Sequence, residues 1–108
     1  MDIFIEVPLL TNLPSLAFLA KSLADENRLR ILLALGNGKK AVTHLVEELR
    51  LSQPLVSHHL KELKGSLLVK VERRGPFIYY EMADPRIIDI LAGLAELAGD
   101  LLANRKTF

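Results

Sequence analysis

A mostly helical domain carrying one small β-hairpin is what this sequence predicts, and three observations predict it. Apolar residues recur at helical spacing over most of the chain. Between about residues 68 and 82 the period switches to two, in runs rich in β-branched and aromatic residues on either side of Gly75-Pro76. Beyond Asp84-Pro85 the helical spacing returns and is apolar on more than one face.

The elements follow in order. Residues 1–14 hold Pro8 and Pro14 and no clean period, and are expected to form an N-terminal arm; residues 15–108 are expected to form the domain. Ser15 is the expected N-cap of a first helix over about 16–24, with Leu16, Leu19 and Leu23 in one stripe. Asp25 caps a second helix over about 26–36, with Leu29, Ile31, Leu32 and Leu35 inward, stopped by Gly36-Asn37-Gly38. A short third helix spans about 42–49, with Val42, Leu45, Val46 and Leu49 toward the core. Ser52 caps a fourth, with Pro54 in its first turn, where a missing N–H is harmless, and Gly65 ends it near residue 64. Two strands, 68–74 and 77–82, flank the Gly75-Pro76 turn, and a fifth helix covers about 86–104. Five helices and a two-stranded wing in this order make a winged helix-turn-helix.

The bulk numbers bound what such a domain does. At 108 residues the chain is one domain, and 50% apolar residues with a mean hydropathy of +0.25 exceed what one small core hides. A permanent partner subunit is therefore expected, and the last helix, apolar on more than one face, is expected to pack on its own domain and on something else. The absence of cysteine removes disulfides, thiolate metal sites and cysteine nucleophiles. The N-terminus lacks a signal-peptide pattern, and the apolar run Ile31 to Leu35 is far short of the roughly 20 residues a membrane span needs. A cytoplasmic protein without membrane contact is expected.

The chemistry lies in the fourth helix. Val56, Leu60 and Leu63 form its apolar face, while Gln53, Ser57, His58, Lys61 and Lys64 form a face of hydrogen-bonding and cationic groups. Such a helix docks on a core and presents side chains to base edges in the major groove: glutamine suits adenine, and lysine suits phosphate or guanine. Arg73 and Arg74 stand at the hairpin tip, placed for the DNA backbone or minor groove. From Ser57 to Tyr80 five cations face two anions, in a chain whose net charge is only +1; from Asp84 to Asn104 the balance reverses to one cation against four anions. His59 lies near the buried face and is expected to be structural, and His44 is expected to be a surface residue. No phosphate loop, catalytic triad order, metal-hydrolase motif or cofactor fingerprint is present, so neither an enzyme nor a cofactor is expected. The competing reading is a winged-helix protein-interaction module, with the apolar last helix as its working surface and no DNA binding.

Three segments, Leu23–Leu32, Leu51–Leu60 and Val71–Tyr80, resemble the ArsR/SmtB family of bacterial and archaeal repressors in order and spacing over about residues 15–104. The resemblance implies a homodimeric repressor, joined through Leu16 and Leu19 of its first helix and Ile87, Leu91, Leu94, Ala98 and Leu101 of its last, and released by a ligand from an operator near its own promoter; a dimer of this kind is expected to read an inverted repeat. Metal-sensing members carry Cys-x-Cys-Asp on the third helix, where this chain has Ala41, Thr43 and His44. They also use Asp and His pairs on the last helix, where this chain has Asp89, Glu96 and Asp100 but no histidine. No metal site is expected, and the sequence names no effector. The family's Ala-Gly before the first wing strand is replaced by Ser66-Leu67, so a different cap is expected at the end of the recognition helix.

Overall fold

The computed structural model describes residues 11–105. Five helices and one hairpin follow in order among them: α1 (Leu13–Leu23), α2 (Glu26–Leu35), α3 (Val42–Leu49), α4 (Gln53–Gly65), β1 (Val69–Arg74), β2 (Phe77–Met82) and α5 (Arg86–Ala103). This is the winged helix-turn-helix that the sequence predicts. Residues 1–10 of the expected arm lie outside the described residues.

The core sits where α2, α3 and α4 meet the base of the hairpin. Ile31, Leu32, Leu45, Val56, Leu60 and Leu63 are fully buried, and each such side chain contributes about 1.5–3 kcal/mol of burial. Leu29, Val42, Val46 and Leu49, expected to face inward, are partly buried against this cluster. Local signals set the boundaries. The Asp25 carboxylate accepts the Arg28 N–H at 3.0 Å and starts α2. Ser52 Oγ accepts the Leu55 N–H at 3.3 Å and starts α4, whose first turn carries Pro54. Gly36 ends α2, and Gly38 takes a φ of 131°, open to glycine alone without strain. Helix α1 starts at Leu13, ahead of the expected Ser15: Pro14 fits the first turn because the N–H it lacks would be unbonded there anyway.

The hairpin is antiparallel, in register from Val69↔Met82 at its base to Arg74↔Phe77 at its tip. Gly75, at φ 60°, supplies the positive φ a two-residue hairpin turn needs. Lys40 and Tyr80 exchange two backbone hydrogen bonds, of 2.9 and 2.8 Å, which fasten the wing to the segment before α3.

The junction between α4 and β1 departs from expectation. Helix α4 runs through Gly65, and the Leu67 and Leu68 N–H groups donate to the Lys64 and Leu63 carbonyls, both at 3.0 Å. That pattern is the left-handed helix cap glycine usually makes. Leucine makes it here, with Leu67 at φ 67°, a conformation that disfavours a residue bearing Cβ by roughly 1–2 kcal/mol.

Candidate nucleic-acid interface

Two helix ends create the reading unit. Helix α3 stops at Arg50, which turns left-handed at φ 56°. The Arg30 guanidinium donates to the Leu49 carbonyl at 2.8 Å, filling an acceptor that the end of α3 leaves open. Two residues later Ser52 starts α4, so three residues make the turn. The contribution of Arg30, from a helix 19 residues away, has no signal in the local sequence.

Helix α4 is amphipathic in the expected sense. Val56, His59, Leu60 and Leu63 are buried; Gln53, Ser57, His58, Lys61 and Lys64 are exposed. Gln53, Ser57, Lys61 and Lys64 follow one another at three- and four-residue spacing on the outer face, with His58 beside them. Neither Lys61 nor Lys64 has a carboxylate within 4 Å among the described residues, so no neighbouring anion offsets either one.

His59, on the inner face, places Nε2 3.8 Å from the Asp25 carboxylate. Its Nδ1 is buried without a hydrogen-bond partner among the described residues. The Arg28 N–H, with a further contribution from His59, holds the Asp25 carboxyl below its ordinary range. Asp25 thus starts α2 and touches the inner face of α4 at once. His44 is exposed, as expected.

The wing separates its two arginines. Sequence alone treats Arg73 and Arg74 as one basic tip, but strand alternation puts them on opposite faces, across from Ile78 and Phe77 respectively. Arg74 Nε donates to Glu72 at 3.0 Å, and Lys39 pairs with the same carboxylate. The hydrogen bond from Lys39, then that from Arg74, holds the Glu72 carboxyl below its ordinary range. Arg73 has no ion pair among the described residues and is the uncompensated cation of the tip. Lys40 binds both oxygens of Glu48, at 2.8 and 3.0 Å, bracing the wing's anchor against α3. Tyr80 packs on the core, while the Tyr79 ring lies 6.4 Å from that of Phe77.

The flanking helices differ in kind. Helix α1 buries no residue, and α5 buries only Leu91. Leu91 was expected at a subunit interface; at 8% exposure it belongs to the core of its own chain, and Ile87 packs partly against that core. Leu16, Leu19, Leu94, Ala98 and Leu101 are exposed, together with Leu13, Phe18, Ile90, Leu97 and Leu102, which the interface expectation had left out. A groove of about 720 Å³ runs between α1 and the start of α5, mostly apolar, with the junction at Ser66–Leu68 in its lining. Among the described residues no group of three or more His, Asp or Glu side chains converges, and no helix is long and apolar enough to cross a membrane.

Residues 25–71 match the bacterial regulatory proteins of the arsR family. The chain is 37% identical over 78 residues to a helix-turn-helix-type transcriptional regulator of Methanocaldococcus jannaschii, covering 71% of this chain and 88% of that one. It belongs to the ArsR family. It is likewise 33% identical over 91 residues to a transcriptional repressor, an SmtB homologue, of Synechocystis, covering 84% of this chain and 69% of that one. Among solved structures, a homodimeric winged helix-turn-helix DNA-binding domain from Mycobacterium bovis superposes with a TM-score of 0.75 at 28% identity, covering 91% of each chain. NolR from Sinorhizobium fredii gives 0.72 at 28% identity, covering 92% of this chain and 95% of that one. The ArsR-family match spans α2, α3, α4 and the start of β1, the same elements that carry the exposed polar row and its supports.

Proposed function

We propose that this ArsR-family regulator acts in the cytoplasm as a homodimeric repressor of double-stranded DNA, and that it reads an inverted-repeat operator with one α4 helix per half-site. The observation that carries the proposal is the outer face of α4: a row of hydrogen-bonding and unpaired cationic side chains on a helix whose opposite face is locked in the core. Gln53, Ser57 and His58 lie in the first half of α4 and take the base-edge role; Lys61 and Lys64 take phosphates. Arg73 adds a backbone or minor-groove contact from the wing, and Arg74, tethered to Glu72, adds a weaker one.

The dimer role falls to α1 and α5, whose exposed leucines suit burial against a second copy. Two-fold symmetry would then set the half-sites about one helical turn apart, roughly 34–36 Å. Repression ends when an effector binds and shifts the dimer away from the DNA-competent arrangement. The chain's role is regulatory rather than catalytic.

Fluorescence anisotropy on duplexes from the DNA flanking its own gene tests the reading. Tight binding to one inverted repeat, weakening steeply with salt, is expected. Equal affinity for every duplex, or affinity that ignores salt, contradicts it.

A further inference from the structure

Leu67 is the most exposed of the large apolar side chains among the described residues, at 76%, and it also holds the left-handed φ of 67°. Among the described residues nothing offsets either feature. A glycine would make the same cap without strain, and a polar residue would tolerate the solvent. A leucine placed so is accounted for by a surface that covers it.

The surroundings indicate which surface. Leu67 borders the apolar groove between α1 and α5, with Phe18, Leu19, Ile87 and Ile90 along the walls. It therefore continues the strip of exposed apolar residues that α1 and α5 present. It also edges a second groove, of about 550 Å³, lined by Lys64, Lys70 and Arg73, which would suit DNA. The linings decide between the two: the walls of the first groove are mostly apolar, like Leu67 itself, whereas three cations rim the second and suit an anion rather than a leucine.

We propose that Leu67 is a subunit contact: the α4–β1 junction of one chain packs against a second copy of the chain, as a continuation of the α1–α5 face. This rests on the dimer proposed above and adds a consequence to it. The Ser66, Leu67 and Leu68 N–H groups bond to carbonyls of the last turn of α4 at 3.0 Å. Ser66 Oγ also lies 2.8 Å from Ser22 Oγ of α1, in hydrogen-bond contact. Pressure on Leu67 from a partner chain bears directly on the end of the recognition helix and the root of the wing. Dimer formation thereby holds the reading unit in position.

The test uses the full chain in three variants, Leu67→Gly, Leu67→Met and Leu101→Glu. Each is followed by sedimentation across a concentration series and by anisotropy on a labelled operator duplex. Glycine is the residue this turn favours, so Leu67→Gly keeps its helix content by circular dichroism. Its dimer dissociation constant rises about tenfold, while Leu67→Met stays within about twofold of wild type. DNA affinity of Leu67→Gly falls in step with the dimer and returns at high protein concentration. If Leu67→Gly dimerises like wild type while Leu101→Glu is monomeric, the dimer reading stands and this proposal alone falls. If Leu67→Gly keeps its dimer yet binds DNA more weakly at every concentration, DNA covers Leu67 and the proposal is overturned. A monomeric wild type, or a fully dimeric Leu101→Glu, removes the α1–α5 interface and the proposal with it.

Discussion

The reading unit and the flanking helices are built to opposite specifications. Helices α2, α3 and α4 hold seven of the ten buried apolar residues, and their ends are tied by Asp25, Arg30 and Ser52. Helices α1 and α5 hold one buried residue between them and nine of the thirteen exposed large apolar ones. The difference teaches a division of labour. The first region completes its burial within one chain, so its outer face is free to be polar. The second leaves its burial unfinished, which is the state of a helix pair shaped for another surface.

The largest effect should come from attacking the unfinished region. Leu94→Glu places a charge where a partner's apolar face is expected; the dimer should dissociate and operator affinity should drop at least about a hundredfold. Light scattering and anisotropy on the same samples check both. A Leu94→Glu dimer with wild-type affinity would erase the contrast between the regions.

Next comes the outer face of α4. Ser57→Ala with His58→Ala should leave the dimer intact and weaken the preferred duplex by tenfold to about a hundredfold, with little change on a scrambled one. An equal loss on both duplexes would assign these residues to phosphates instead of bases.

The wing gives a smaller, finer test. Arg73→Gln should reduce the salt slope of binding by about one contact, and Arg74→Gln by less, because Glu72 already compensates Arg74. With Glu72→Gln in the background the two arginines should become alike. Matching effects of the single variants in the wild-type background would show that the Glu72 pair gives way on DNA.

The smallest effect concerns acid. Neighbouring hydrogen bonds and charges hold the carboxyls of Asp25, Glu48 and Glu72 below their ordinary values, and Arg86 pushes that of Asp84 down to about 2. A depressed folded-state pKa contributes stability that is present above the unfolded value and lost as pH falls through the folded one. Urea melts should therefore weaken progressively from about pH 5 toward about pH 2. Asp25→Asn should be less stable at neutral pH and show a shallower acid decline; an unchanged decline would mean that the Arg28 N–H and His59 do not hold the Asp25 carboxyl down.

How far the sequence could be read follows the same division. Helix α3 is predicted at 42–49 and found there, and α4 starts after Ser52 as predicted and ends one residue later, because caps and apolar spacing agree locally. The polar row on α4 was legible for the same reason. The direction of Leu91 was not: α5 is apolar around more than one face, and periodicity cannot say which stripe meets the chain's own core. The inequality of Arg73 and Arg74 is half legible, since strand alternation separates them, but Glu72 also pairs with Lys39, 33 residues distant. The left-handed Leu67 ran against local preference, which is where sequence reasoning fails and where a functional contact is to be sought.

The most direct test of the central claim, a complete reading unit on an incomplete body, is stoichiometric binding to a full inverted repeat and to its isolated half-site at equal salt. The account predicts two chains per full repeat and much weaker binding to the half-site. One chain per duplex, with equal affinity for full site and half-site, would contradict it.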